Sequence, residues 1–288
     1  MKESWLIVLA PESSFPDDGD FDRLPAFAAE RVSKALELCP ISPHGALPPE
    51  GVRYLHFGSD WVQGAMRVAR PWSLELDYTR EMMAGLLLRQ AAQWPRRVLL
   101  IGLGAGSLTK FLYRHRPQAQ LTVVEIAPRV VAAARHHFRL PAEDERLQIV
   151  IGDGADYVMK KGTAFDLILV DGFDEDAKVG SLDSLPFYLN AKARLSPQGL
   201  LVTNLLSRRK DFRAGIARLK EAFDDRALVF PCCDSGNAAA FATNGAAISL
   251  SLEELAQRAA LLRKETALNL APTLSRLAQM DKGGRLEI

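Results

Sequence analysis

Three cysteines in 288 residues are too few and too oddly placed for a disulfide framework or a zinc-ligand spacing: Cys39 stands alone, and Cys232 and Cys233 are adjacent. A reducing, cytoplasmic setting is therefore expected. An excess of one charge is also missing. With 36 Lys and Arg against 35 Asp and Glu, no long-range field draws in a polyanion, so nucleic acid is not an expected partner. Long apolar runs are missing too. The stretch 5–10 comes nearest, but Pro11, Glu12 and the acidic residues of 17–20 stop it short of a signal-peptide core or a membrane span. Neither membrane insertion nor secretion is expected. Repeats and low-complexity tracts are also lacking, and the length suits one main domain with smaller appendages.

What is present reads as alternation. Residues 5–9 suggest a strand and 24–38 an amphipathic helix. A loop over 39–51 is punctuated by Pro40, Pro43, Gly45, Pro48, Pro49 and Gly51, and extended segments over 52–57 and 64–68 follow it. Helical spacing of Met82, Met83, Leu86 and Leu87 marks 77–90, and Pro95 closes that segment. Strands at 98–101, 121–125, 147–151, 167–171 and 199–204 then alternate with helices at 107–114, 128–137, 155–160 and 185–195. That order implies a parallel sheet with right-handed crossovers. Short strands at 227–231 and 238–242 are joined by the turn Asp234-Ser235-Gly236-Asn237. A helical tail over 251–280 opens with Ser251 and Glu254 as a capping box. The expected fold is α/β, a Rossmann-like methyltransferase-type sheet of five parallel strands plus a C-terminal antiparallel hairpin. A small N-terminal α+β domain (1–95) precedes the sheet domain (96–248), and the helical tail (249–288) follows.

The chemistry concentrates where strands end. Ile101-Gly102-Leu103-Gly104-Ala105-Gly106-Ser107 joins a buried strand to a helix, with glycines that allow a tight turn and close approach of a ligand to the backbone. Ser107 occupies the third glycine position of the dinucleotide fingerprint, which argues against nicotinamide or flavin. Glu125 ends the next strand about 20 residues on, where a carboxylate can accept from both ribose hydroxyls. The same residues also fit a tight structural turn. Gly152-Asp153-Gly154 ends the third strand, and Asp153 suits either an adenine amino group or a helix N-cap. After the fourth strand, Asp171-Gly172-Phe173-Asp174-Glu175-Asp176 is either a solvated acidic loop or a lure for a cationic substrate, with Asp171 placed to take a proton from an attacking amine. His136 and His137 are helical neighbours that point apart, so no metal pair is expected. Ser207-Arg208-Arg209-Lys210 suits a solvated face, and Trp61, Trp72, Met82 and Met83 suit core packing.

Residues 74–243 resemble the spermidine synthase (polyamine aminopropyltransferase) family in its divergent bacterial form. The likeness rests on 98–106, Val124-Glu125-Ile126 before Pro128, Gly152-Asp153-Gly154, Val170-Asp171 with Asp174, Phe187-Tyr188, and Leu195-Ser196-Pro197-Gln198-Gly199. It implies an adenosyl sulfonium donor, decarboxylated S-adenosylmethionine or S-adenosylmethionine, held by Gly102, Gly104, Ala105, Gly106, Glu125, Ile126, Asp153, Gly154 and Asp171, without a metal. Asp171 and Asp174 are the implied catalytic residues. Tyr78, Thr79, Arg80, Glu81 and Cys233 are the implied acceptor pocket, for a small amine or another small acceptor, and a homodimer is expected. Three departures stand out. Ala105 replaces an aspartate of the family's glycine-rich turn, Thr79-Arg80-Glu81-Met82 stands for Tyr-x-Glu-Met with Tyr78 as a stand-in, and Cys233 takes the place of a tyrosine. Two alternatives follow from them, an S-adenosylmethionine-dependent small-molecule methyltransferase and a non-catalytic nucleoside-binding module.

Overall fold

A computed structural model of the chain describes residues 5–8, 51–56, 62–90, 93–173, 180–233, 236–280 and 284–288. The expected helix at 24–38 and Cys39, Trp61, Asp174, Glu175, Asp176 and the Asp234-Ser235 pair lie outside the described residues.

Strands β1 (Trp5–Val8), β2 (Val52–His56) and β3 (Gly64–Arg67) form a three-stranded sheet in that order, with β1 parallel and β3 antiparallel to β2. Helix α1 (Asp77–Met82) follows and tightens into a 3-10 turn over Met83–Leu87. A single helix over 77–90 was expected. The tightening falls where Gly85 presses on the sheet, with room for a Cβ only 3.1 Å from side-chain carbons of Leu200 and Val202.

The main sheet then builds by alternation. It comprises β4 (Arg97–Ile101), α2 (Ser107–His115), β5 (Gln120–Glu125), α3 (Pro128–His137), β6 (Leu147–Ile151), α4 (Gly154–Met159), β7 (Phe165–Val170), α5 (Leu185–Ala193), β8 (Leu195–Leu206), α6 (Phe212–Ala222), β9 (Ala227–Val229) and β10 (Asn237–Thr243). Its strand order is β6-β5-β4-β7-β8-β10-β9. The first five strands pair in parallel, and β10 lies antiparallel between β8 and β9. Continuous Val, Ile and Leu in β4 and β7 suit strands covered on both faces. Alternate residues serve opposite cores: Val98 and Leu100 face α2 and α3, while Leu99 and Ile101 face α4 and α5.

Helix α6 was not anticipated. Gly215 interrupts its pattern and only Gly215, Leu219 and Ala222 are buried, which dilutes the periodic signal. The tail forms α7 (Leu252–Thr266), with the expected Ser251–Glu254 capping box, and α8 (Ala271–Met280). A short antiparallel ribbon of β11 (Ser249–Ser251) and β12 (Arg285–Glu287) clasps the two ends of the tail. Such a pairing is distant in sequence and leaves little local signature. Leu250, Leu255, Ala259, Leu262, Leu286 and Ile288 of the tail share one core with β4, α1 and α2. Among the described residues no helix is long and apolar enough to cross a membrane.

Candidate functional site

The order of the sheet reverses between β4 and its neighbours β5 and β7, and a crevice opens beyond the carboxyl ends of strands at such a point. A cavity of about 250 Å³ lies there. It is lined by the β4–α2 turn, the ends of β5, β6 and β7, the segment 180–182, and Gln63, Gly64, Tyr78 and Thr79 from the N-terminal side.

Backbone bonds fix the floor. Gly102 N–H donates to Val124 O at 2.9 Å, Gly152 N–H to Glu125 O at 2.9 Å, and Asp171 N–H to Ile101 O at 2.8 Å. Gly102 has φ of 91°, and a Cβ there would fall 2.3 Å from the Asp171 carbonyl oxygen, so the turn and the catalytic candidate are packed backbone to backbone.

Glu125 is buried at the end of β5. Its Oε2 accepts from Leu103 N–H at 2.8 Å and its Oε1 from Ala127 N–H at 2.9 Å. Burial raises its pKa above the ordinary glutamate value, and backbone N–H groups, those of Ala127 and Leu103 first, pull it back. The carboxylate is thus held by the turn itself and reaches the cavity wall beside Ile126, an apolar side chain left 66% exposed at the mouth. Asp153 is the N-cap of α4, its Oδ1 accepting from Ala155 N–H at 2.6 Å and Asp156 N–H at 3.2 Å, and the residue also lines the cavity.

Asp171 sits part-buried where β7 ends. Tyr78 O–H donates to its Oδ2 at 3.2 Å, and Asn204 Nδ2–H donates to its Oδ1 at 3.0 Å. Burial raises its pKa, and the two hydrogen bonds, Asn204 first, oppose the rise. Tyr78 is pushed well above its ordinary value by burial and then by the Asp171 charge, with Cys233 adding to the push. It therefore remains a hydrogen-bond donor across ordinary pH.

The structure divides the expected acceptor pocket. Tyr78 and Thr79 line the cavity, and buried Cys233 lies near Tyr78 with its thiol on Asn237 O at 3.4 Å. Arg80 and Glu81 do not line it. Arg80 turns back along the chain, donating to Leu74 O, Glu75 O and Asp77 Oδ1. Glu81 points the other way, only 1% exposed, and forms an ion pair with Arg276 of α8. Successive helical residues point in different directions, so four consecutive positions cannot share one wall.

Ala105 is buried against β3: a Cβ on Gly64 would lie 2.6 Å from that of Ala105, and Ser107 Oγ–H donates to Ala65 O at 3.1 Å. The place where the family resemblance expects an aspartate is filled by close approach of the N-terminal sheet. Asn204 was not singled out from sequence, although a polar Thr-Asn pair inside the apolar run 200–206 was the available signal.

The crevice, turn and strand-end carboxylates sit on an α/β protein with the methyltransferase-type sheet. Residues 76–226 match the family described as the spermine/spermidine synthase domain. The polyamine aminopropyltransferase of Chromobacterium violaceum is 37% identical over 255 residues, covering 88% of this chain and 95% of the relative. This chain belongs to the spermine/spermidine synthase family. Among solved structures, a spermidine synthase in complex with the transition-state analogue AdoDATO is 27% identical, with a TM-score of 0.51, covering 59% of this chain and 61% of that one. Human methyltransferase-like protein 13 in complex with SAH is 25% identical, with a TM-score of 0.60, covering 67% of this chain and 93% of that one.

Proposed function

We propose that this chain is an aminopropyltransferase that takes decarboxylated S-adenosylmethionine as donor and a small amine as acceptor. The observation that carries this reading is Asp171, held on both oxygens by neutral donors, at one wall of a cavity whose charged lining among the described residues is wholly acidic: Glu125, Asp153 and Asp171. Three carboxylates favour a donor carrying a sulfonium and an ammonium, and repel one that keeps its own carboxylate. Glu125 holds the ribose hydroxyls, Asp153 and Gly154 the adenine, and Ile126 packs against the nucleoside.

In the reaction, Asp171 takes a proton from the acceptor ammonium. The freed nitrogen lone pair attacks the carbon beside the sulfonium, and the carbon–sulfur bond breaks with its electrons passing to sulfur. Methylthioadenosine leaves as a neutral thioether. Asp174 is proposed as the second acidic contact for the amine, and Tyr78, with Thr79 and Cys233 near it, as the acceptor wall. The proposed protein is a cytoplasmic homodimer, which sedimentation would test.

Ala105 favours a second reading, an S-adenosylmethionine-dependent methyltransferase, because no carboxylate from the turn opposes the donor's own carboxylate, and methyltransferase-like protein 13 is among the structural relatives. Incubation with each donor and a panel of amines separates the two. Methylthioadenosine formed from the decarboxylated donor is the expected product. Adenosylhomocysteine formed from S-adenosylmethionine would overturn the aminopropyl reading, and nucleoside binding without either product would leave a binding module.

A further inference from the structure

One wall of the cavity is built by the 3-10 turn Gly180–Asp183, and its side chains are held from outside the donor site. Leu182 is the residue that closes the wall. Its two methyl groups lie over Gly172 and Gly154, where added Cβ atoms would come within 2.6 Å and 3.3 Å of them. The glycines at these strand ends thus make room for Leu182, which spans the gap between the Asp171 loop and the Asp153 loop.

The next residue fixes that position. Asp183 Oδ1 accepts from Tyr188 O–H on α5 at 3.0 Å, and Asp183 Oδ2 accepts from Arg218 Nη2–H on α6 at 2.6 Å. The Asp183 side chain is 11% exposed, and Tyr188 is fully buried. Gly215, one turn before Arg218, leaves space for the carboxylate: a Cβ there would fall 2.8 Å from Oδ2. Ser184 ties the turn to α5, donating to Ser181 O at 2.7 Å and accepting from Phe187 N–H at 3.3 Å. Two helices therefore converge on one carboxylate, each from a different side.

A mostly buried ion pair is a weak source of net stability, because desolvation cancels much of the attraction, but it fixes geometry strictly. We propose that Asp183 is a positioning residue for the donor nucleoside, clamped by Arg218 and Tyr188 so that Leu182 is held as the wall against which the nucleoside packs. This rests on the nucleoside reading of the cavity. It adds to that reading a helix, α6, that supplies no residue to the cavity lining yet sets the affinity of the site. Arg218 and Gly215 act through Asp183, and Asp183 acts through Leu182.

The test uses the full chain with Arg218→Ala, Arg218→Lys and Gly215→Ala, measuring two quantities: the calorimetric Kd for methylthioadenosine, and amide hydrogen exchange at residues 181–183 without ligand. Arg218→Ala should raise the Kd about tenfold, the effect of one charge-assisted hydrogen bond, and speed exchange at 181–183. Arg218→Lys should recover part of both. Gly215→Ala should weaken binding as well, although alanine is the better helix former, because its methyl group displaces the Asp183 carboxylate. That result separates positioning from simple helix stability. An unchanged Kd in the folded variants overturns the proposal. If the unsubstituted chain fails to bind methylthioadenosine, the nucleoside reading falls instead, and the exchange rates still decide whether the clamp holds the wall.

Discussion

Asp171 has opposing influences on its proton: burial raises its pKa, while Asn204 and Tyr78 stabilise the charged form. A base must be ionised to accept a proton, so kcat/KM should fall as the pH drops through a value above the ordinary aspartate range. Tyr78→Phe removes one of the two stabilising bonds. Its acid limb should therefore move to higher pH than that of the parent, read from the pH profile of kcat/KM, and an unmoved limb would remove Tyr78 from this role. Lys110 gives a prediction about stability. It is buried on α2 with its Nζ donating to Phe138 O at 2.7 Å, and burial lowers its pKa to about 7. The unfolded chain keeps this lysine protonated up to its ordinary value near 10.5, so between pH 7 and 10 the unfolded state binds more protons than the folded state. Stability should rise with pH across that window, and Lys110→Met should flatten the rise in urea titrations. An equally steep rise in the variant would show that other groups cause it.

At the scale of elements, the strand-turn-helix unit from β4 to α2 was the most legible part of the chain, because local sequence dictates it: a buried strand, glycines and a helix in immediate succession. What the turn touches was not legible. Gly102 faces the Asp171 backbone and Ala105 faces Gly64, contacts made by chain segments far away in sequence. Gly102→Ala should therefore be costly twice over, through its positive φ and through overlap with the Asp171 carbonyl, by about 1–3 kcal/mol in denaturant unfolding. It should also raise the nucleoside Kd, and a variant with parental stability and affinity would contradict the close packing. Helix α1 shows the complementary lesson. The sequence places Tyr78, Thr79, Arg80 and Glu81 together, but a helix sends two of them to the cavity, one back along the chain and one into the core.

Across the whole molecule, the tail is joined to the site side of the sheet by a buried pair, Glu81 with Arg276, and by Arg258 Nη1–H donating to Leu87 O at 2.6 Å. Arg276→Met strands a carboxylate that is 1% exposed, and should cost about 3 kcal/mol in urea unfolding. Combining it with Glu81→Gln should recover most of that loss, since the uncompensated charge is then gone; no recovery would mean the pair is not the cause. The tail's helical periodicity and capping box were readable from 251 onward, because caps and amphipathic spacing are local. Its docking partner was not, because an ion pair between residues as far apart in sequence as Glu81 and Arg276 has no local trace. The same division holds throughout. By itself, the sequence determined the alternation of strands and helices, the glycine turn from Gly102 to Gly106 and the carboxylates at strand ends, since backbone preference and burial period act over a few residues. Only the tertiary structure decided which carboxylates meet. It set Asn204 and Tyr78 on Asp171, closed β3 over Ala105, and brought Arg218 to Asp183, because distances between remote segments depend on how the sheet is ordered and how the helices pack upon it.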